Sequence, residues 1–384
     1  QAGEPDPEAF RARLAAAAEA LVARYCLTSA RYHSAGAFDG VIGREQLACR
    51  YGENAWQAPA SFFSTASAAS GEGDPLGLGR FEVVAGAAPS YNNLAEIDRQ
   101  LQTITHIAAG FDLNFGTVPF IALGTKHGNP CGAAAGDDPA AVIRRMVTGD
   151  ARAIFGGLVM VNFPIGEELA EELLTFGVDQ GRRLLDGVSA PSFTDEAIRM
   201  LGRKGDKCRF LVNPALERLG RDSIDRAPRY RQVRGGFLRQ SNYTYVADLA
   251  DPDLSATGRL DDARARDLVL AWAVGATSNS NTVTLVRDGQ LIGNGVGQQD
   301  RVSCCELAIK RARDAGHATE GAVAFSDSFF PFPDGPEVLA DAGVTAIWST
   351  SGSVRDAQTQ ALCAERGVVL YLVPDARGRG FFGH

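Results

Sequence analysis

The sequence predicts an α/β fold built around mixed sheets, and three observations predict it. Residues 118–161 read as an apolar strand, a compact turn, a helix and a second strand. Residues 281–293 read as two strands joined at Asp288-Gly289, a dipeptide whose ease at positive φ makes it a strong hairpin signal. Beyond that hairpin, strands near Val323, Thr345 and Val368 alternate with helices near Glu337 and Arg355, the pattern of strands joined by crossover helices.

Size and composition bound the rest. A chain of 384 residues can hold two domains, or two pseudo-repeated halves, with well-buried cores. Hydrophobic residues at 45% and charged residues at 22% are ordinary globular values. A formal charge of −8 argues against nucleic-acid binding, which needs a basic face to neutralise phosphates. No uninterrupted apolar run of about 18 residues occurs, and the opening QAGEPDPEAF has neither a basic nor an apolar signal region. The expectation is a soluble, cytoplasmic protein with no membrane partner. Seven cysteines without C-x-x-C spacing fit reduced thiols. His127 and Cys131 form the only close Cys/His grouping, too few ligands for zinc.

In chain order, residues 7–25 carry an Ala-rich amphipathic helix with Phe10, Leu14, Ala18 and Leu21 on one face. Arg50-Tyr51 follows, a guanidinium beside a phenol, which suits either plain surface or phosphate recognition. Residues 64–78, rich in Ser, Ala and Gly, read as a flexible loop. A helix is expected over 90–106 with Asn92 as its N-cap, Glu96 and Asp98 lying just inside. The strand from Val118 runs into Lys126-His127, whose turn is shaped by Gly124, Gly128, Pro130 and Gly132 and runs on to a helix from Asp138 or Pro139 through Met146. Further elements are a strand over 153–161, a helix over 167–176 and a strand over 184–191 bearing Asp186 in mid-strand, where it needs a partner. A strand within 226–240 and helices over 261–277 and 301–315 complete the pattern. Three segments are expected: a helical or linking 1–49, a first half 50–225 and a second half 226–384.

Lys126-His127 alone reads equally as a solvated charge beside a satisfied polar group. The strings around it say more. Lys126-His127-x-Asn129-Pro130-Cys131-Gly132 resembles the KHxNPCG signature of the transformylase part of the bifunctional purine-biosynthesis enzymes, which formylate aminoimidazole carboxamide ribotide (AICAR) from 10-formyltetrahydrofolate. RYGENAWQ from Arg50, SYNNL from Ser90, Phe155-Gly156-Gly157, the strand after Asp186 and Val233 to Gln240 resemble further strings of that family. So do Asn281 with its following Gly289-Gln290, Gly297 to Arg301, and Ser326 to Gly335.

The resemblance implies two halves, each like the three-layer cytidine deaminase fold. It implies His127 as the base that takes the amine's proton, Lys126 as its electrostatic partner and Asn281 as a donor to the oxyanion. A neighbouring ammonium would also favour the neutral imidazole. Arg50, Tyr51, Gly156, Asp186, Arg301, Phe329, Arg379 and His384 are expected to bind the ribotide, with Arg301 at a helix N-terminus as an anion site. Phe329, Phe330, Pro331 and Asp334 are expected to line the folate pocket, the aromatics as core plugs or as a pterin-stacking wall. The resemblance further implies a homodimer with active sites at the interface, one chain supplying the Lys-His turn and its partner completing the pocket, and a structural potassium ion.

The chain departs from the family at Ala55-Trp56, at Asn279 and in the spacing between Arg379 and His384, which leaves room for a related imidazole or amine acceptor. The family's cyclohydrolase domain is expected to be absent, so that the reaction stops at the formylated ribotide. Two other readings remain. A hydrolytic zinc deaminase would need H-x-E and P-C-x-x-C, where this chain has His127-Gly128-Asn129 and a lone Pro130-Cys131. A non-catalytic nucleotide-binding relative would have less reason to keep Lys126, His127 and Asn281.

Overall fold

The computed structural model describes residues 6–65 and 73–382, and the chain divides into two compact units, Gln1–Gly73 and Asp74–His384. In the first unit, α1 (Pro7–His33) starts where Asp6 accepts the amides of Glu8 and Ala9 at 3.0 and 3.1 Å, with Pro7 in the first turn. It continues past the expected end near Tyr25, since no breaker intervenes before Ser34. Strands β1 (Arg44–Cys49) and β2 (Ala60–Ser64) pair antiparallel, and the segment between them closes through Gly52 N–H to Gln57 O at 2.7 Å. Residues 66–72, the middle of the loop expected over 64–78, lie outside the described residues.

The second unit is organised by one sheet of twelve strands. Its first half comprises β3 (Glu82–Ala85), α2 (Tyr91–Phe115), β4 (Phe120–Lys126), β5 (Asn129–Gly136), α3 (Pro139–Gly149), β6 (Leu158–Val161), α4 (Glu167–Thr175), β7 (Gly187–Ala190), α5 (Asp195–Leu201) and β8 (Arg209–Val212). A separate antiparallel hairpin, β9 (Arg229–Val233) and β10 (Gly236–Gln240), follows where a single strand was expected, because Arg234-Gly235 turns the chain. The second half comprises β11 (Ser255–Ala256), α6 (Asp262–Ala276), β12 (Val283–Arg287), β13 (Gln290–Gly295), α7 (Arg301–Asp314), β14 (Val323–Ser326), α8 (Asp334–Asp341), β15 (Ala346–Ser351), α9 (Asp356–Glu365), β16 (Val369–Pro374) and the short α10 (Asp375–Gly378).

The strand order is β11-β16-β15-β14-β12-β13-β5-β4-β6-β7-β8-β3. Outward from the β5–β13 seam, each side repeats one scheme: an antiparallel hairpin, a strand antiparallel to it, two strands parallel to that one, and an antiparallel edge strand. The seam itself rests on the pair Gln290 and Ala134, with Ala135 N–H donating to Gly289 O at 3.1 Å.

Helices cover both faces, so the apolar strands are buried on each side. On one face α2 and α6 pack together across the seam, with Ile104, Ile107, Leu268 and Trp272 in a shared core. Gly110 makes that contact close: a Cβ there would stand 2.7 Å from Val269 and 3.0 Å from Trp272. The other face carries α3, α4 and α5 over one half and α7, α8 and α9 over the other, each group with its own core.

Several boundaries differ from expectation for local reasons. Ser90, not Asn92, caps α2, in a reciprocal capping box with Asn93, and the helix runs to Gly116 at φ 68°. The strand expected over 153–161 begins only at Leu158, because residues 151–156 form turns and Gly156 has φ 71°. Asp186 precedes β7 instead of sitting in mid-strand, and it pairs with Arg203 at 2.6 Å. Among the described residues, no helix is long and apolar enough to cross a membrane.

Candidate active site

The turn after β4 leads into a strand, not directly into a helix. Lys126-His127-Gly128-Asn129 is a hairpin turn with φ of 55° at His127 and 73° at Gly128, the doubly left-handed pattern of type I′. Glu96 of α2 holds it from below: Oε1 accepts Gly128 N–H at 2.8 Å and Oε2 accepts the Thr125 hydroxyl at 3.2 Å. Pro130 is tolerated in β5 because the ladder slips between Gly124 and Thr125, so its missing donor falls at an irregularity.

His127 is exposed at the tip and Lys126 is half-buried, its Nζ donating to Phe155 O at 2.6 Å. Gly156 lies beside the same ammonium, since a Cβ there would stand 4.0 Å from Nζ. A cavity of about 240 Å³ opens under the turn, lined by Lys126, His127, Cys131, Asp150, Asn294 and Arg311 among others. Desolvation pushes the Cys131 thiol up to about 12, so it meets the cavity as a neutral thiol.

The turn does not stand alone. Asn129 Oδ1 accepts the amide of Asn279 at 3.0 Å, and Arg99 bonds both Gly128 O and Asn279 Oδ1. These links set the Lys-His turn against the loop that carries Asn281. Asn281 itself is braced by Arg301, whose Nη2 donates to Asn281 Oδ1 at 3.1 Å, so the oxygen of the amide is engaged and its NH2 is left to donate. One chain thus brings both segments together.

Arg301 is engaged within the chain. Only 9% exposed, it is paired with the fully buried Asp327, whose other oxygen accepts Thr282 N–H at 3.0 Å. Removing an ion from water is repaid only by such a partner, and the same guanidinium braces Asn281 through Nη2. Phe330 is a core plug at 2% exposure, packed with Leu339 and Cys305. Phe329 is half-buried near Gly352, Pro331 is exposed, and Asp334 opens α8 with its carboxylate on Gly335 N–H at 2.8 Å. Arg379 pairs with Asp375, which also accepts from Thr350 at 2.6 Å and Ser328 at 3.3 Å. His384 lies outside the described residues. Arg50 and Tyr51 lie in the first unit, just after β1.

Within the second unit, Lys126, Gly156, Asp186, Asn281 and Phe329 share one rim of the sheet, as the pairings Thr125 with Leu158, Leu158 with Gly187, and Val283 with Ser326 require. The rim uses the carboxyl end of β14 but the amino ends of β6 and β7. Among the described residues, no three His, Cys, Asp or Glu side chains converge as metal ligands, and the expected potassium ion is not assigned a place.

Fold and rim together define a class: a mixed α/β chain that gathers a cation, an imidazole and a braced amide at one sheet edge. Comparison with known proteins narrows the class. The AICARFT/IMPCHase bienzyme family matches residues 3–311, and the chain belongs to that family. It is similar to the bifunctional purine biosynthesis protein PurH of Cutibacterium acnes, at 36% identity over 337 residues, covering 87% of this chain and 58% of that protein. The PurH proteins of Synechococcus sp. and Anoxybacillus flavithermus are 33% and 32% identical, over 87% and 84% of this chain and 58% and 57% of theirs. The chain therefore spans a little over half the length of these relatives. A solved deaminase/reductase from Thermotoga maritima overlaps 24% of this chain and 30% of its own at 18% identity, with a TM-score of 0.20, too little to bear on the fold.

Proposed function

We propose that the protein transfers a formyl group from 10-formyltetrahydrofolate to the 5-amino group of AICAR, a step of purine biosynthesis. The observation that carries this reading is the bonded junction between the Lys-His turn and the Asn281 loop, in a chain of this family. The amine nitrogen attacks the formyl carbon while His127 takes the amine's proton. Negative charge that develops on the formyl oxygen meets the NH2 of Asn281 and the ammonium of Lys126, groups already held by Arg301 and Phe155 O and so needing little reorganisation. As the intermediate collapses, the bond from carbon to N10 breaks and N10 takes up the proton that His127 removed, leaving formylated AICAR, tetrahydrofolate and a neutral imidazole.

The test is to incubate the purified protein with AICAR and 10-formyltetrahydrofolate and follow tetrahydrofolate. Its absence, with folded protein and both substrates intact, rejects the reading. Arg50 is the proposed phosphate grip, since Arg301 and Arg379 are already paired with Asp327 and Asp375. Arg50→Lys keeps the charge and loses the planar fork, so ribotide affinity should fall by about 1–3 kcal/mol with folate affinity unchanged, read by titration of each ligand. A cytoplasmic homodimer belongs to the same proposal, and exposed Phe237 and Leu238 on β10 offer apolar surface for a partner copy.

A further inference from the structure

Arg99 stands on α2 between the half-exposed Asp98 and the buried Gln100, and its guanidinium reaches the rim. Nε donates to Gly128 O at 3.1 Å, while Nη2 donates to Thr277 O at 3.0 Å and to Asn279 Oδ1 at 2.8 Å. The first acceptor belongs to the turn that bears His127, and the other two to the loop that runs into Asn281. The planar group also lies over the ring of Phe382, 4.6 Å from its centroid, and Arg229 approaches the same ring at 4.6 Å. Phe382 is buried at 3% exposure, so this stacking is desolvated.

We propose that Arg99 is a positioning residue, a guanidinium clamp that fixes the His127 turn against the Asn281 loop and so sets the distance between base and oxyanion donor. A lysine would substitute poorly, because its compact ammonium lacks the planar fork that spans two segments while lying flat on a ring. Desolvation holds the Arg99 guanidinium below its ordinary value, at about 10, which still leaves it charged at neutral pH. The kinetic consequence of the clamp rests on the formyl-transfer reading; its structural consequence does not.

The experiment takes Arg99→Ala and Arg99→Lys in the full chain. For Arg99→Ala, kcat should fall about 30-fold or more while KM for AICAR changes less than about threefold, because substrate contacts remain and only alignment is lost. Arg99→Lys should show most of that loss. Millimolar methylguanidine, filling the vacated space, should restore the Ala variant about fivefold and leave the Lys variant unchanged. A kcat for Arg99→Ala within about twofold of wild type overturns the proposal, and so does a loss that methylguanidine fails to restore. Amide exchange supplies an arm that needs no substrate: Gly128 and Asn279 should exchange about tenfold faster in Arg99→Ala and slow again with methylguanidine. Unchanged exchange overturns the clamp even if formyl transfer is established. If wild type transfers no formyl group, the function fails and the exchange arm alone decides the clamp.

Discussion

Two hairpin turns in this molecule share a backbone and differ in what they present. Lys126-His127-Gly128-Asn129 and Arg287-Asp288-Gly289-Gln290 each place a non-glycine residue and then a glycine at positive φ: 55° and 73° in the first, 53° and 73° in the second. Each is held by an acid that is the sixth residue of the preceding helix, Glu96 on α2 and Asp267 on α6. Asp267 accepts both turn amides, from Asp288 at 2.8 Å and Gly289 at 2.6 Å, and is itself buried. Glu96 divides its oxygens between Gly128 N–H and the Thr125 hydroxyl. The repeated strand scheme provides two similar platforms, and the one with lysine and imidazole lines the cavity under its turn. In the proposed function the chemistry lies in side chains placed on a repeated scaffold, not in the scaffold.

The sharpest way to break this comparison is to mutate both tips alike. Asparagine tolerates the left-handed region, so His127→Asn and Asp288→Asn both spare the backbone. Turnover should fall about 100-fold or more for His127→Asn and stay within about twofold for Asp288→Asn, with thermal unfolding checking that both fold. An equal loss at Asp288 would mean that the turns act through shape. Next in size, Glu96→Gln keeps the side chain's length but weakens its grip on Gly128 N–H, so turnover should drop about tenfold in steady-state kinetics.

The smallest effect separates the two acids by stability. Desolvation raises the Asp267 carboxyl to about 6, against the lowering influence of its two amide donors. Between its ordinary value and about 6 the folded chain holds a proton that the unfolded chain has released, so stability falls as pH rises through that window. The loss from this group should be roughly 1 kcal/mol from about pH 5 to 7, seen by denaturant unfolding, and absent in Asp267→Asn.

Local chemistry explains which features were readable in advance. Asp288-Gly289 demands a hairpin, Asp138-Pro139 demands a helix start, and the structure places both as expected. Asn129-Pro130 misled, because proline argues against a strand and only the ladder irregularity opposite Thr125 accommodates it. At the site, Lys126, His127 and Asn281 stood out through their strings, and the structure brings their segments together. Arg301 was read as an anion site from its helix terminus, which is local information, whereas its buried partner Asp327 follows β14, farther along the chain. Arg99 was missed for the same reason. Nothing in a helical stretch says that one side chain will reach across to a loop far along the chain.

The thin seam between β5 and β13 has a consequence for how such a site can drift. With the main-chain pairing there resting on Gln290 and Ala134, the two halves are also joined by the α2–α6 contact, where Gly110 lets the helices approach over Val269 and Trp272, and by side-chain bonds such as Asn294 to Pro130 O and Gln290 to Arg145 O. A methyl group at that position would act as a wedge, and the lever arm ends at the rim where Arg99 ties one half's turn to the other half's loop. Natural variation at a hidden helix contact would therefore retune the gap between imidazole and amide, leaving every residue of the proposed chemistry in place.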